Sequence, residues 1–245
     1  MRPTLLASDL HLSPDRPALA SAFRAFCAGP ARDAAAVYLV GDLFDWWIGD
    51  DQLREPFDTA VAEAIAGITR AGVPVRVAHG NRDFMLGSGF AAATGIAYLP
   101  EQSVVDLGGT PTLVSHGDEL CTGDVAYQRY RARMRDPATQ ARLLRLPGFV
   151  RRWLARRLRA RSRDATSLKA EAILDVDEGA VAEAFRRFGV ARMIHGHTHR
   201  PATHRIDVDG RPCERIVLPD WYEVARYLEV DERGARVCEV AEGRE

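Results

Sequence analysis

The chain has 245 residues, 47% of them apolar, and a formal net charge of −1. That is enough apolar material for a sizeable core in one or two domains, and the near-zero charge excludes a polyanion binder acting through bulk charge. Cys27, Cys121, Cys213 and Cys238 form no C-x-x-C pair and no tight pattern, which fits a reducing compartment with the cysteines as small apolar fillers. In chain order, Thr4-Leu5-Leu6-Ala7 reads as a buried strand running into Ser8-Asp9-Leu10-His11, which leaves no room for a signal peptide. Ser13 to Ala28 carries Leu19, Phe23 and Phe26 at helical spacing, predicting a helix that covers the sheet. Ala35 to Val40 is a second buried strand and stops at Gly41-Asp42. Asp58 to Arg70 repeats the helical spacing with Val61, Ala64, Ile65 and Ile68. Val73 to Ala78 is a third strand and delivers His79-Gly80-Asn81-Arg82-Asp83. Gly87 to Thr94 predicts a short helix. Val104 to Leu107, Gly108-Gly109 and Thr112 to Val114 predict a hairpin leading into Ser115-His116-Gly117-Asp118. Strands alternating with helices are the pattern of an α/β sheet.

Thr122 to Lys169 breaks that pattern. It is helical in character, and between Asp136 and Asp164 it holds no acid but nine arginines, from Arg142 to Arg163. We expect a helical insertion, residues 122–170, capping a core built from 1–121 and 171–245. Phe149, Val150, Trp153, Leu154 and Leu158 form an apolar stripe among the arginines. It faces either the core or something apolar outside it, an acyl chain or a membrane surface. From Val176 the core resumes with a helix ended by Gly189. Ala191 to Ile194 is a strand delivering His195-Gly196-His197-Thr198-His199. The strands after Pro201, turning at Asp209-Gly210 and Glu232-Arg233-Gly234, are expected to form a meander that completes the second sheet. No apolar run reaches the length of a membrane span, so the expectation is a cytoplasmic protein, free or peripheral to a membrane.

Five strand ends thus deliver Asp, His and Asn to one rim, where ligands gather in open α/β folds. Every histidine except His204 lies in these blocks. Carboxylate, imidazole and amide oxygen suit Mn, Fe, Zn or Mg. Asp9-x-His11 places two ligands on one face of an extended segment, and His195-x-His197 repeats the arrangement. Asp42, lying between the pairs, is the candidate to bridge two ions. Two metals about 3.5–4 Å apart are the usual device for displacement at phosphorus.

Asp9-x-His11, Gly41-Asp42-x-x-Asp45, Gly80-Asn81-x-Asp83, His116 and Gly196-His197-x-His199 resemble, in order and spacing, the binuclear metallophosphoesterase (calcineurin-like) superfamily. Gly80-Asn81-Arg82-Asp83-Phe84, Asp42 to Asp51, His116 to Asp124, Tyr127-Gln128 and His195 to Pro201 resemble a narrower family, the UDP-2,3-diacylglucosamine pyrophosphatases of the lipid A pathway. The resemblance runs from Ser8 to Trp221. It implies a four-layer αββα sandwich with a helical cap. It implies two Mn²⁺ ions, the first held by Asp9, His11 and His197, the second by Asn81, His116 and His195, with Asp42 bridging. Of these, Asp42, Asn81, His116 and His195 would act directly in catalysis.

Substrate contacts carried over from the resemblance are Asn81, Arg82, Asp124, Ser162, Thr166, Lys169 and His195. Arg82 stands where much of the superfamily has a histidine. Its pKa is too high to protonate a leaving group, but it can clamp a phosphate with two donors. His199 is assigned either a supporting role beside the ligands or a structural one; His79 is read as structural, and Asp50 and Asp51 as a solvated turn. The partners implied are UDP-2,3-diacylglucosamine and the cytoplasmic face of the inner membrane, with no nucleic acid and no obligatory protein partner. A nuclease or nucleotide phosphodiesterase, or a catalytically dead lipid-binding protein, remain alternatives. The aromatic platforms a nuclease would interleave with the arginines are mostly missing.

Overall fold

A computed structural model describes residues 2–167 and 175–241, for 158–167 the helix alone. The predicted contacts Lys169 and the side chains of Ser162 and Thr166 lie outside the described residues, as does that of Leu158. The elements in order are β1 (Thr4–Ala7), α1 (Pro17–Ala28), β2 (Ala36–Val40), α2 (Pro56–Arg70), β3 (Val75–Ala78), α3 (Ser88–Thr94), β4 (Ala97–Tyr98), β5 (Gln102–Leu107) and β6 (Thr110–Ser115). Then come α4 (Val125–Arg135), α5 (Pro137–Leu144), α6 (Gly148–Ser167), α7 (Glu178–Phe188), β7 (Arg192–His195), β8 (Ala202–Val208), β9 (Arg211–Val217), β10 (Arg226–Asp231) and β11 (Gly234–Glu239).

The strands form two sheets, ordered β11-β10-β1-β2-β3-β4 and β5-β6-β7-β9-β8. Side-chain alternation along each strand decides what each face covers. Leu5, Ala7, Val37 and Leu39 pack against Phe23 and Phe26 of α1, Ile65 of α2 and Phe90 of α3. Their neighbours Leu6, Tyr38 and Val40 face the second sheet, meeting Val114, Ile194 and Ile216. On the far side of that sheet, Leu113 and Met193 pack on Val181, Ala184 and Phe185 of α7. The result is the four-layer αββα sandwich expected.

One expectation is corrected. The C-terminal strands do not all complete the second sheet. β8 and β9 do, with β9 parallel to β7, but β10 pairs antiparallel with β1 in the first sheet. The free edge of β1 takes β10, and Leu228 and Val230 fill the space between the sheets. The crossing between β9 and β10 is pinned by Trp221, fully buried against Phe23 and Phe26.

Parallel pairing aligns the strand ends. β1, β2 and β3 are adjacent and parallel, and so are β6 and β7, so all five polar blocks emerge at one edge of the sandwich. The helices α4, α5 and α6 depart between β6 and α7 and are tied back at two roots. Buried Asp118 accepts from the Tyr127 hydroxyl at 2.7 Å and from Arg131 Nε at 2.8 Å, holding α4. Arg151 of α6 donates from Nη1 to Ile48 O and from Nη2 to Asp51 Oδ2, both at 2.6 Å. Asp50 and Asp51 are therefore not a solvated turn. Asp50 accepts from the backbone N–H groups of Gly87, Gly89 and Phe90 and caps α3, while Asp51 accepts from Arg151 of α6.

Candidate metal centre

The segments that leave the strands do not remain extended. Asp9, His11, Asp42, His197 and His199 all have positive φ, at 54°, 46°, 52°, 69° and 53°. The expectation that alternation along an extended segment pairs Asp9 with His11, and His195 with His197, is corrected here: successive left-handed turns aim these side chains. Each such residue costs about 1–3 kcal/mol unless its surroundings hold it. Backbone bonds do so, from Asp9 N to Gly41 O at 3.1 Å, His11 N to Asp42 O at 3.0 Å, and Gly196 N to His116 O at 3.0 Å. Close approach fixes two glycines. A Cβ on Gly80 would run into Asp42, and one on Gly196 into Ser8 and Asp9.

Two groups of polar atoms converge on either side of Asp42. In the first, the Asp9, His11 and His199 ligand atoms all lie within 4.8 Å of one another. His199 Nε2 is 3.5 Å from Asp9 Oδ1, and His11 Nδ1 is 3.8 Å from Asp42 Oδ2. Asp220 Oδ2 pairs with His199 Nδ1 at 2.9 Å and so turns the other ring nitrogen inward. In the second, Asn81 Oδ1 is 3.1 Å from His116 Nε2 and 3.0 Å from His197 Nδ1, and His116 Nε2 is 3.7 Å from Asp42 Oδ1. His116 Nδ1 faces Val40 O at 3.0 Å, which fixes its tautomer.

His195 is not among them. Its Nδ1 contacts Gly196 O at 2.8 Å and its Nε2 receives Arg215 Nη1 at 3.1 Å, so both ring nitrogens are engaged by the protein. The expected positions of Asp9, His11, Asp42, Asn81, His116 and His197 converge; His195 is replaced at the cluster by His199.

The fit to a cation rests on orphaned atoms. Asp9 Oδ1 and both nitrogens of His11 are buried with no hydrogen-bond partner. A buried polar atom without a partner is costly. Ligand atoms at about 2.1 Å from one ion stand about 3–3.5 Å apart, close to the gaps seen between these groups. The donors are carboxylate, imidazole and amide oxygen, a set suited to a first-row divalent cation.

Residues 2–201 match the calcineurin-like phosphoesterases. The chain belongs to that family. Its relatives include UDP-2,3-diacylglucosamine hydrolases of Pseudomonas syringae pv. tomato, 46% identical over 94% of this chain and 92% of theirs, and of Pseudomonas paraeruginosa, 47% identical over 95% and 96%. The hydrolase of Escherichia fergusonii is 45% identical over 93% of this chain and 94% of its own. Within the calcineurin-like phosphoesterases, the chain belongs with these hydrolases.

Electrostatics in this phosphoesterase follow from the crowding. Burial, reinforced by the charge of Arg82, pushes the His11 pKa down to about 2. Burial likewise brings His197 down to about 3, so both imidazoles stay neutral and keep lone pairs to offer. Burial pushes Asp42 up to about 7. It would lower His116, but Asp42 and Asp9 outweigh it and raise His116 to about 9.

The remaining predicted residues surround the cluster. Arg82 is partly exposed, with Nε 3.4 Å from Asp42 Oδ2 and Nη1 3.2 Å from Asp45 Oδ1. Asp83 is buried and accepts from Leu43 N and Gly80 N, both at 2.7 Å, tying the Asn81 loop to the Asp42 loop. Asp124 caps α4, accepting from Tyr127 N at 3.0 Å. His79 is structural as expected, its Nε2 2.9 Å from Leu86 O and its ring stacked on Tyr98. Ser8, Asp118, Asp220 and Tyr222 also stand at or near the cluster, and no expected role falls on them. Asp220 alone carried a signal, its place beside the apolar Trp221 that anchors the crossing.

Proposed function

We propose that the chain hydrolyses the pyrophosphate of UDP-2,3-diacylglucosamine to UMP and 2,3-diacylglucosamine 1-phosphate, in lipid A biosynthesis. The observation that carries the chemistry is the pair of polar clusters sharing Asp42, with Asp9 Oδ1 and His11 left unpaired in the interior. The substrate follows from the relatives, UDP-2,3-diacylglucosamine hydrolases similar over more than nine-tenths of the chain.

In this reading Asp9, His11 and His199 would hold one divalent cation, Asn81, His116 and His197 would hold a second, and Asp42 would contribute to both. We assign both as Mn²⁺. His195 moves from the ligand set to a supporting position. The cations would supply the Lewis acidity that activates water near neutral pH and offsets the charge gathering on the phosphate oxygens. The chain's own residues do the rest. Asn81 and Arg82, joined to Asp42 through the Arg82 N–H at 2.9 Å, orient the phosphate. A water oxygen bonds to phosphorus, the bridging P–O bond breaks, its electron pair leaves with the second phosphate, and the water's protons pass to solvent. A leaving phosphate needs little protonation, which suits an arginine at position 82.

Residues 122–170 form the cap in this reading, and Asp124, Ser162, Thr166 and Lys169 meet the lipid half. We place the protein on the cytoplasmic face of the inner membrane. No helix among the described residues is long and apolar enough to cross a membrane. Phe149 and Trp153, one turn apart on α6 among its arginines, are 68% and 56% exposed and so do not pack on the core. Such a face suits acyl chains or a bilayer with anionic headgroups. The deciding experiment is mass spectrometry of the products from UDP-sugars with and without acyl chains. UMP released only from the diacylated substrate supports the reading; equal turnover of plain UDP-sugars or of nucleic acid would overturn it.

A further inference from the structure

Two tyrosines flank the cluster, at opposite ends. The Tyr127 ring, at the root of α4, lies 6.1 Å from that of His197, and its hydroxyl is committed to Asp118. The Tyr222 ring lies 5.5 Å from His11 and 5.1 Å from His199. The first belongs to α4, the second to the segment that follows β9.

Tyr222 owes its place to its neighbours in sequence. Trp221 is anchored in the core and its backbone N–H donates to Asp9 O at 3.2 Å; Asp220 on one side orients His199, and Tyr222 on the other is 46% exposed. Arg16 lies over the Tyr222 ring, Cζ 4.8 Å from its centre, and donates from Nη2 to Tyr222 O at 3.0 Å. Tyr222 and Arg16 therefore form one lip, on the His11–His199 side.

A substrate with a phosphate-linked nucleotide at one end and a diacylated sugar at the other must lay its two halves on opposite sides of the point of cleavage. In the reading above the cap takes the lipid half on one side. We propose that Tyr222 and Arg16 form the subsite for the nucleotide half, the pyrimidine base packing on the tyrosine ring while the Arg16 guanidinium turns from that ring to the ribose phosphate. Aromatic rings hold bases by stacking with little demand on hydrogen-bond geometry, and guanidinium groups suit phosphate. This inference rests on the lipid-nucleotide reading above.

The test is calorimetric binding of UMP and of inorganic phosphate to the manganese-loaded, full-length protein, with the metal content of each variant measured. Tyr222→Ala should weaken UMP binding ~10-fold or more while changing phosphate binding less than ~2-fold, as expected for the loss of one stacked base. Tyr222→Phe should restore UMP binding. Arg16→Ala should weaken UMP more than it weakens free uridine. Unchanged UMP affinity in both variants would overturn the proposal. So would equal losses for UMP and phosphate, or loss of manganese in Tyr222→Ala, either of which would make the ring a support for His11 instead. Failure of the lipid-nucleotide reading shows separately, as a wild-type protein that releases no UMP from that substrate.

Discussion

His199 Nδ1 stands 2.9 Å from Asp220 Oδ2, while its Nε2 faces the orphaned Asp9 Oδ1 across 3.5 Å. A carboxylate behind an imidazole fixes the ring and raises its basicity as a ligand. No such arrangement exists at His195, whose Nε2 receives the Arg215 guanidinium. In the proposed two-manganese reading, His199→Ala is therefore expected to lose about one of the two ions and at least a hundredfold in turnover. His195→Gln should keep its full metal content and lose thermal stability instead. Asp220→Asn should weaken metal affinity by about 10–100-fold. Elemental analysis of the purified variants checks all three, and a His195 variant short of one ion would restore that histidine to the ligand set.

Asp42 has an oxygen facing each group, Oδ2 towards His11 and Oδ1 towards His116. Asp42→Asn keeps the shape and removes the shared charge. Turnover should fall by about a thousandfold or more, with a circular dichroism spectrum like that of the wild type. A folded variant retaining more than about a tenth of wild-type activity would remove Asp42 from the bridging position.

The sequence makes the strand ends legible because each apolar run stops at once in a polar block, so the edge of the sandwich can be located before any contact is known. Strand alternation does not choose between His195 and His199, although the Gly196-His197-x-His199 block contains only the second. Both stand two residues from His197, and the choice is made by Arg215 and Asp220, about twenty residues further on, through contacts that exist only once β9 lies beside β7. The left-handed backbone at Asp9 and His11 is equally hidden, since it is imposed by the neighbouring strand rather than by local preference. The departure of β10 to the first sheet has the same origin. Its alternating pattern suits either sheet, and the free edge of β1 decides.

Away from the cluster, Asp58 offers a test of burial and charge. It lies in the first turn of α2, largely buried, and accepts from Gln52 Nε2 at 3.2 Å. Burial pushes its carboxyl up to about 6, against the lowering effect of that hydrogen bond. With the folded value raised, the stabilising share of the protonated form is complete below about pH 4 and is lost as pH rises through about 6. Two units correspond to about 3 kcal/mol at most, and the helix N-terminus, which favours negative charge, offsets part of it. Asp58→Asn keeps an acceptor for Gln52 and should stabilise the protein by about 1–2 kcal/mol at pH 8, with little change at pH 4. Melting curves across that range would sink the argument if the variant were less stable than wild type at pH 8.

Trp153 separates the two readings of the apolar stripe. Together with Phe149 it leaves a large apolar surface in the open on α6, and Arg157 lies over its ring at 5.4 Å. An exposed side chain has no packing to lose, so Trp153→Glu should shift the melting temperature little. A diacyl substrate offers two long chains, and each methylene buried is worth about 0.8 kcal/mol, so even one turn of helix in contact with them matters to binding. Tenfold in kcat/KM corresponds to about 1.4 kcal/mol, less than one buried aromatic supplies. The variant should therefore lose at least ten times more kcat/KM on the diacyl nucleotide than on a small chromogenic phosphodiester. The same substitution should weaken sedimentation with anionic vesicles if α6 meets the bilayer, and leave it unchanged if the stripe holds only the substrate's chains. Equal losses on both substrates with a lowered melting temperature would mean that Trp153 supports the fold after all. Unchanged kinetics on both would take α6 out of lipid recognition.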